Sequence, residues 1–305
     1  MRLAPPKKYF DLDFLLPGFE SVSEVRKRAT DLANTLRHLA RKVTQEAPEP
    51  CSKAWFDIVR THAMRLRLAN CLRGTRRCGR VLCPLCQREF RRWMVGQILE
   101  QFAPSNGPIF FVTLIPTQRK LPPDRLSELR PAHLKDALRK QLVRGGLRNA
   151  RVVGRIDISF NENTRREWSP HWQPHLHLIV CGCSEAQLRF AFKAAYRADI
   201  SCPRPVRIHR IDGKSDLVRV ISYVFRPYFD RRLSYVNAHR GVRTLSCGLK
   251  IPQLRELTRA LSHFPIIPGF TFMQGLRRQG GKLVTTVAVR DYHELISRGQ
   301  RSDFQ

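Results

Sequence analysis

Hydrophobic and polar positions along this chain repeat with two periods. Residues 20–45 and 53–72 carry apolar side chains at helical spacing with Arg and Lys between them, which predicts two amphipathic helices, and Gln87 to Gln101 predicts a third. Pro108 to Ile115 is rich in β-branched and aromatic residues and is closed by Pro116, the pattern of a central strand. A polar loop, P-T-Q-R-K-L-P-P-D-R, leads into helical periodicity from Pro131 to Leu147 with a Gly145-Gly146 stop. Strands are then expected at 152–160 and 174–182, with residues 161–173 a polar connection between them. A helix over 184–198, a strand over 204–211 and a helix over 215–226 follow, and the last part of the chain adds a helix near 251–263 and a strand near 283–289. The order predicts an α+β fold, an antiparallel sheet with helices on one face.

The strand at 174–182 changes the picture. In P-H-L-H-L-I-V the alternation puts His175 and His177 on one face and Leu176, Leu178 and Val180 on the other, so two imidazoles point the same way from a rigid element. Neutral imidazole is the commonest nitrogen ligand of divalent metals. An antiparallel pairing with Val152–Phe160 brings Asp157 near His177 as a third ligand, while Ile156 and Ile158 turn to the core. Glu162 and His171 are looser candidates on the connection. Two His with a carboxylate suit Mn²⁺ or Mg²⁺.

Charge narrows the partners. Fifty-five Lys and Arg against 25 Asp and Glu give a formal net charge of +30 spread along all 305 residues. Such a field binds polyanions by counterion release, so nucleic acid is expected first and an acidic membrane surface second. No apolar run approaches a membrane span and M-R-L-A-P-P-K-K lacks a signal-peptide core, so a cytoplasmic protein without a membrane partner is expected.

Nine cysteines without an export signal argue against a disulfide framework. Cys71, Cys78, Cys83 and Cys86 cluster in N-C-L-R-G-T-R-R-C-G-R-V-L-C-P-L-C-Q-R, and the C-P-L-C knuckle lets two thiolates reach one ion, so a structural Zn²⁺ site is expected, with His62 or Cys51 as alternatives to Cys71. Arginines at 73, 76, 77, 80, 88, 91 and 92 surround the cluster, as suits a small DNA-contacting module.

In the helix expected at 215–226, Leu217, Val220, Ile221 and Val224 form one stripe, and Tyr223 with Arg226 falls on another face, so Tyr223 is presented rather than buried. Tyr228, after Pro227, continues the apolar stripe if the helix persists and then reads as a packing residue.

F-F-V-T-L-I-P-T at 110–117, G-R-I-D-I-S-F-N at 154–161, P-H-L-H-L-I-V and S-Y-V-F-R-P-Y resemble, in order, the motifs of rolling-circle replication initiators of the HUH endonuclease superfamily, and R-V-L-C-P-L-C-Q-R resembles the cysteine segment of their plasmid branch. The resemblance covers roughly residues 70–230. It implies a ferredoxin-like palm, a divalent metal on His175 and His177 with an acidic or polar residue, and Tyr223 as the nucleophile. This chain has Arg226 where the family generally has Lys three residues after the tyrosine, and the plasmid branch sometimes uses a later tyrosine, which keeps Tyr228 among the catalytic candidates.

The activity so implied is site-specific nicking and closing of single-stranded DNA at a replication origin through a 5′-phosphotyrosyl intermediate, with host helicase and polymerase as further partners. Two other readings stand beside it: a single-strand transposase of the same superfamily, and a non-catalytic zinc-containing nucleic-acid-binding protein. The expected division is a helical region over 1–70, a cysteine module and helix over 71–104, the endonuclease domain over 105–235 and an origin-binding or assembly appendage over 236–305.

Overall fold

The computed structural model describes residues 20–44, 49, 52–104, 107–226, 229–236 and 242–286. Three helices come first. Helix α1 (Val22–Thr44) opens on a capping box in which Ser21 Oγ accepts from Glu24 N and Glu24 Oε2 accepts from Ser21 N, and it buries Val25, Ala29, Leu36 and Leu39 along one stripe. Helix α2 (Lys53–Arg73) starts at the Ser52 cap and stops at Gly74, whose φ of 77° is the left-handed conformation that favours glycine. Helix α3 (Pro84–Phe102) begins on a proline at its first position and is buried on nearly every side, from Leu85 to Phe102. Two of its arginines are held inside by Glu20: Arg88 Nε donates to the Glu20 backbone carbonyl, and Arg91 pairs with Glu20 Oε1 at 2.7 Å.

The remaining elements are β1 (Ile109–Leu114), α4 (Pro131–Arg144), β2 (Arg151–Asn163), β3 (His171–Cys181), α5 (Glu185–Lys193), β4 (Val206–Ile211), α6 (Gly213–Val224), β5 (Arg231–Val236), β6 (Val242–Cys247), α7 (Ile251–Leu261), β7 (Thr271–Gln274), β8 (Leu276–Gln279) and β9 (Lys282–Thr285). The fold is α+β. Strands β4, β1, β3 and β2 lie side by side in that order, each antiparallel to its neighbour. Close contact between β2 and β3 requires glycine at 154, because a Cβ there would lie 2.2 Å from the His177 carbonyl oxygen.

Two expectations are corrected. The sheet is mixed, because the far end of β2 continues into β5 by a parallel pairing of Phe160–Asn163 with Arg231–Ser234, while its near end pairs antiparallel with β7. Helices also cover both faces. Phe272 lies opposite Gly154 and so shares its face, and Arg139 of α4 sits over the Phe272 ring at 5.4 Å. Helix α6 lies on the other face, where Tyr223 meets His177. The polar connection is shorter than expected, since β2 runs on to Asn163 and β3 starts at His171. The strand expected at 283–289 is seen as β9, paired with β8, and its residues after 286 lie outside the described ones. No helix among the described residues is long and apolar enough to cross a membrane.

Candidate active site

Strand parity builds the site. His171, Gln173, His175 and His177 share one face of β3, and β2 sets Arg155 across from His177, Asp157 across from His175 and Ser159 across from Gln173. Asp157 therefore faces His175 directly, two residues from the expected pairing, and reaches His177 on the diagonal, with Oδ2 3.7 Å from Nε2. A shift of two residues keeps every side chain on its face, so the three groups still converge: their ligand atoms all lie within 4.8 Å of one another, and all three residues are buried.

The neighbours leave ligand positions open. Thr113 Oγ1 lies 3.1 Å from His177 Nδ1 and Ser159 Oγ 3.4 Å from His175 Nε2. With those nitrogens engaged, His177 Nε2 and His175 Nδ1 remain buried without a hydrogen-bond partner, a cost of about 1–3 kcal/mol for each such group. Burial holds both imidazoles below their usual range and hence neutral, the form that binds metal. Burial alone would push Asp157 up, but the Arg226 guanidinium, 2.9 Å from Oδ2, holds it well below the usual carboxylate range. Two orphaned imidazole nitrogens beside an ionised carboxylate fit a divalent cation.

Helix α6 delivers the tyrosine. Leu217, Ile221 and Val224 are buried and Tyr223 is 40% exposed, so the helix turns its apolar stripe inward and its phenol outward. The Tyr223 ring centroid lies 5.3 Å from that of His177, and the Arg226 guanidinium, just beyond the helix end, lies 5.3 Å over the Tyr223 ring while its other nitrogen reaches Asp230 at 3.1 Å. Helix α3 fixes this end of α6. Phe90 meets Phe225 edge-on at 5.7 Å, Arg91 donates to Ser222 Oγ, and Gln87 Oε1 accepts from Arg155 Nη1 at 2.9 Å, which in turn donates to the Arg226 carbonyl at 2.9 Å. Gln87, Arg155, Thr113 and Ser159 are positions that sequence reasoning missed, and it read Arg91 as a DNA contact. Arg155 and Ser159 carried a signal, sharing the parity of Asp157 on β2.

The cysteines meet at the start of the same helix. Cys71 ends α2, Cys78 lies in the loop, Cys83 caps α3 and Cys86 lies in its first turn; their sulfurs also all lie within 4.8 Å of one another. Cys71 and Cys78 are each 3.7 Å from Cys86, Sγ to Sγ. A tetrahedron with metal–sulfur bonds of about 2.3 Å has edges of about 3.8 Å, whereas a disulfide needs about 2.05 Å, so the cluster could hold a structural zinc and is not a pair of disulfides. The amides of Cys78 and Gly79 donate to the sulfurs of Cys71 and Cys86, each at 3.3 Å. Purified protein is expected to carry about one zinc, and Cys83→Ser to lose it and lower the melting temperature; metal analysis paired with thermal melts checks this.

Other candidates do not join either cluster. Glu162 is taken by Arg231 at 2.7 Å, and His171 lies tilted against the Trp168 ring with Nδ1 donating to the Ser169 carbonyl. His62 is exposed beside Arg65 and does not replace Cys71. Tyr228 and Cys51 lie outside the described residues.

Acid should expose the cost of the buried imidazoles. Because His175 and His177 take up protons less readily folded than unfolded, their contribution to stability is constant above about pH 6.5 and falls below it, by up to about 1.4 kcal/mol per pH unit per histidine until the folded pKa is passed. Denaturant melts of the metal-free protein at stepped pH should show this loss, and His175→Gln with His177→Gln should reduce it.

Comparison of the chain with protein-family models, with curated proteins and with solved structures gives no match.

Proposed function

We propose that this protein is a metal-dependent nicking and closing endonuclease of single-stranded DNA, of the HUH type, that initiates rolling-circle replication. The observation that carries the reading is the Asp157–His175–His177 cluster with an exposed tyrosine ring 5.3 Å from one of its imidazoles. The strand order β4-β1-β3-β2, with α4 joining β1 to β2 and α5 joining β3 to β4, supports a ferredoxin-like palm. The charge of +30 supports a polyanionic substrate.

A divalent cation on His175, His177 and Asp157 would draw charge from the non-bridging oxygens of the scissile phosphate. Tyr223 Oη attacks phosphorus, the bond to the 3′-oxygen breaks, and the 3′-oxygen takes up a proton while the phenol gives one to solvent. The product is a 5′-phosphotyrosyl linkage with a free 3′-hydroxyl, and reversal rejoins the strand. Arg226 keeps Asp157 ionised and lays a cation against the tyrosine face; Thr113 and Ser159 fix the imidazole orientations. The test is incubation with single-stranded DNA and Mn²⁺ or Mg²⁺. A covalent protein–DNA species that fails to form in chelator is expected, and binding without cleavage under every metal would instead favour a non-catalytic zinc-containing binding protein.

A further inference from the structure

Next to the tyrosine, on the side away from Asp157, a cleft of about 470 Å³ is lined by Phe111, His209, Arg210, Asp216, Arg219 and Tyr223 together with Ile211 and Val220. The sheet dictates its floor. Phe111 on β1 lies opposite His209 on β4, and both share the face that carries His177. The rings form a row across three strands: Phe111 is near-parallel to His177 at 6.0 Å and to His209 at 6.4 Å, and the Tyr223 ring stands edge-on to Phe111 at 5.8 Å. Strand β4 is the edge of the sheet and His209 is exposed, so the row opens to solvent. Arg219 stands at the wall, and Arg207, opposite Thr113, adds an exposed cation on the same face. The one carboxylate lining the cleft, Asp216, is paired to Arg219.

We propose that this cleft is a stacking subsite for a base of single-stranded DNA adjacent to the scissile phosphate, with His209 as its platform and Arg207 holding the flanking phosphate. Flat aromatic surface interleaved with arginines is the chemistry that binds single strands irrespective of groove geometry, because every base has a π-face and every nucleotide a phosphate. A duplex offers no unstacked base to such a platform. The cleft begins at the tyrosine itself, so a base seated on His209 sets the register in which the neighbouring phosphate meets the Tyr223 hydroxyl.

This inference deepens the nicking reading and rests on it for the position of the scissile phosphate, but binding can be measured without chemistry. The probe is a short oligothymidylate carrying one 2-aminopurine, added to the full chain in chelator. Wild type should quench the fluorophore. His209→Ala, a change at an exposed position, should restore its fluorescence and weaken binding about 5- to 100-fold, and Arg207→Gln should lower the salt slope by about one. Unchanged affinity and quenching in both variants overturns the subsite. Covalent capture from a randomised single-stranded library in Mn²⁺ separates the two ideas: quenching by a wild type that never forms an adduct overturns the nicking reading and leaves the stacking site standing.

Discussion

Replacing His175 and His177 together with alanine is expected to reduce cleavage of single-stranded DNA by on the order of 10³-fold or more, while DNA affinity changes by less than about threefold. The two effects separate because they rest on different parts of the molecule. In the proposed reading cleavage would depend on a buried three-residue cluster with two orphaned nitrogens, and binding on 55 basic residues distributed along the chain. Alanine also removes the protonation cost at low pH, so the variant should remain folded and resist acid better than the metal-free wild type. Gel-based nicking beside fluorescence anisotropy at one salt concentration checks both halves, and undiminished nicking by the double variant in chelator removes the metal from the account.

The second large effect is at the proposed nucleophile. Tyr223→Phe deletes one oxygen from an exposed ring whose contacts with Phe111, His177 and Arg226 are ring contacts, so fold, metal site and DNA binding are expected to persist while the covalent adduct disappears. Tyr228→Phe is expected to retain the adduct. Denaturing gels of protein incubated with labelled single-stranded DNA and Mn²⁺ read the difference directly.

How much of this was readable beforehand follows from the range of each interaction. Local periodicity located the three N-terminal helices, β1 and the histidine strand, because apolar spacing is set by the element itself. It also placed Asp157 on the histidine face, since parity survives a register error of two. The register was beyond reach because it depends on where the turn closes, and β2 and β3 both run further than their apolar cores. Strands β5 and β6, R-R-L-S-Y-V and V-R-T-L-S-C, carry little alternation and are stabilised by pairing with each other and with the distant end of β2. The link from the cysteine cluster through Gln87, Phe90 and Arg91 to the turn that presents Tyr223 joins residues more than a hundred positions apart, and its arginines read in sequence as DNA contacts although they are buried.

That link gives the cysteine cluster a second consequence. The helix that carries Cys86 in its first turn holds Ser222 through Arg91 and Phe225 through Phe90, so loosening the cluster is expected to displace the tyrosine without touching the imidazoles.

The measurement closest to the central claim is peptide mapping of the trapped protein–DNA adduct. DNA attached through a phosphodiester to Tyr223, with a 5′-phosphate linkage and a free 3′-hydroxyl on the other fragment, is the expected result. Attachment at Tyr228 or another residue, or an adduct that survives Tyr223→Phe, contradicts it.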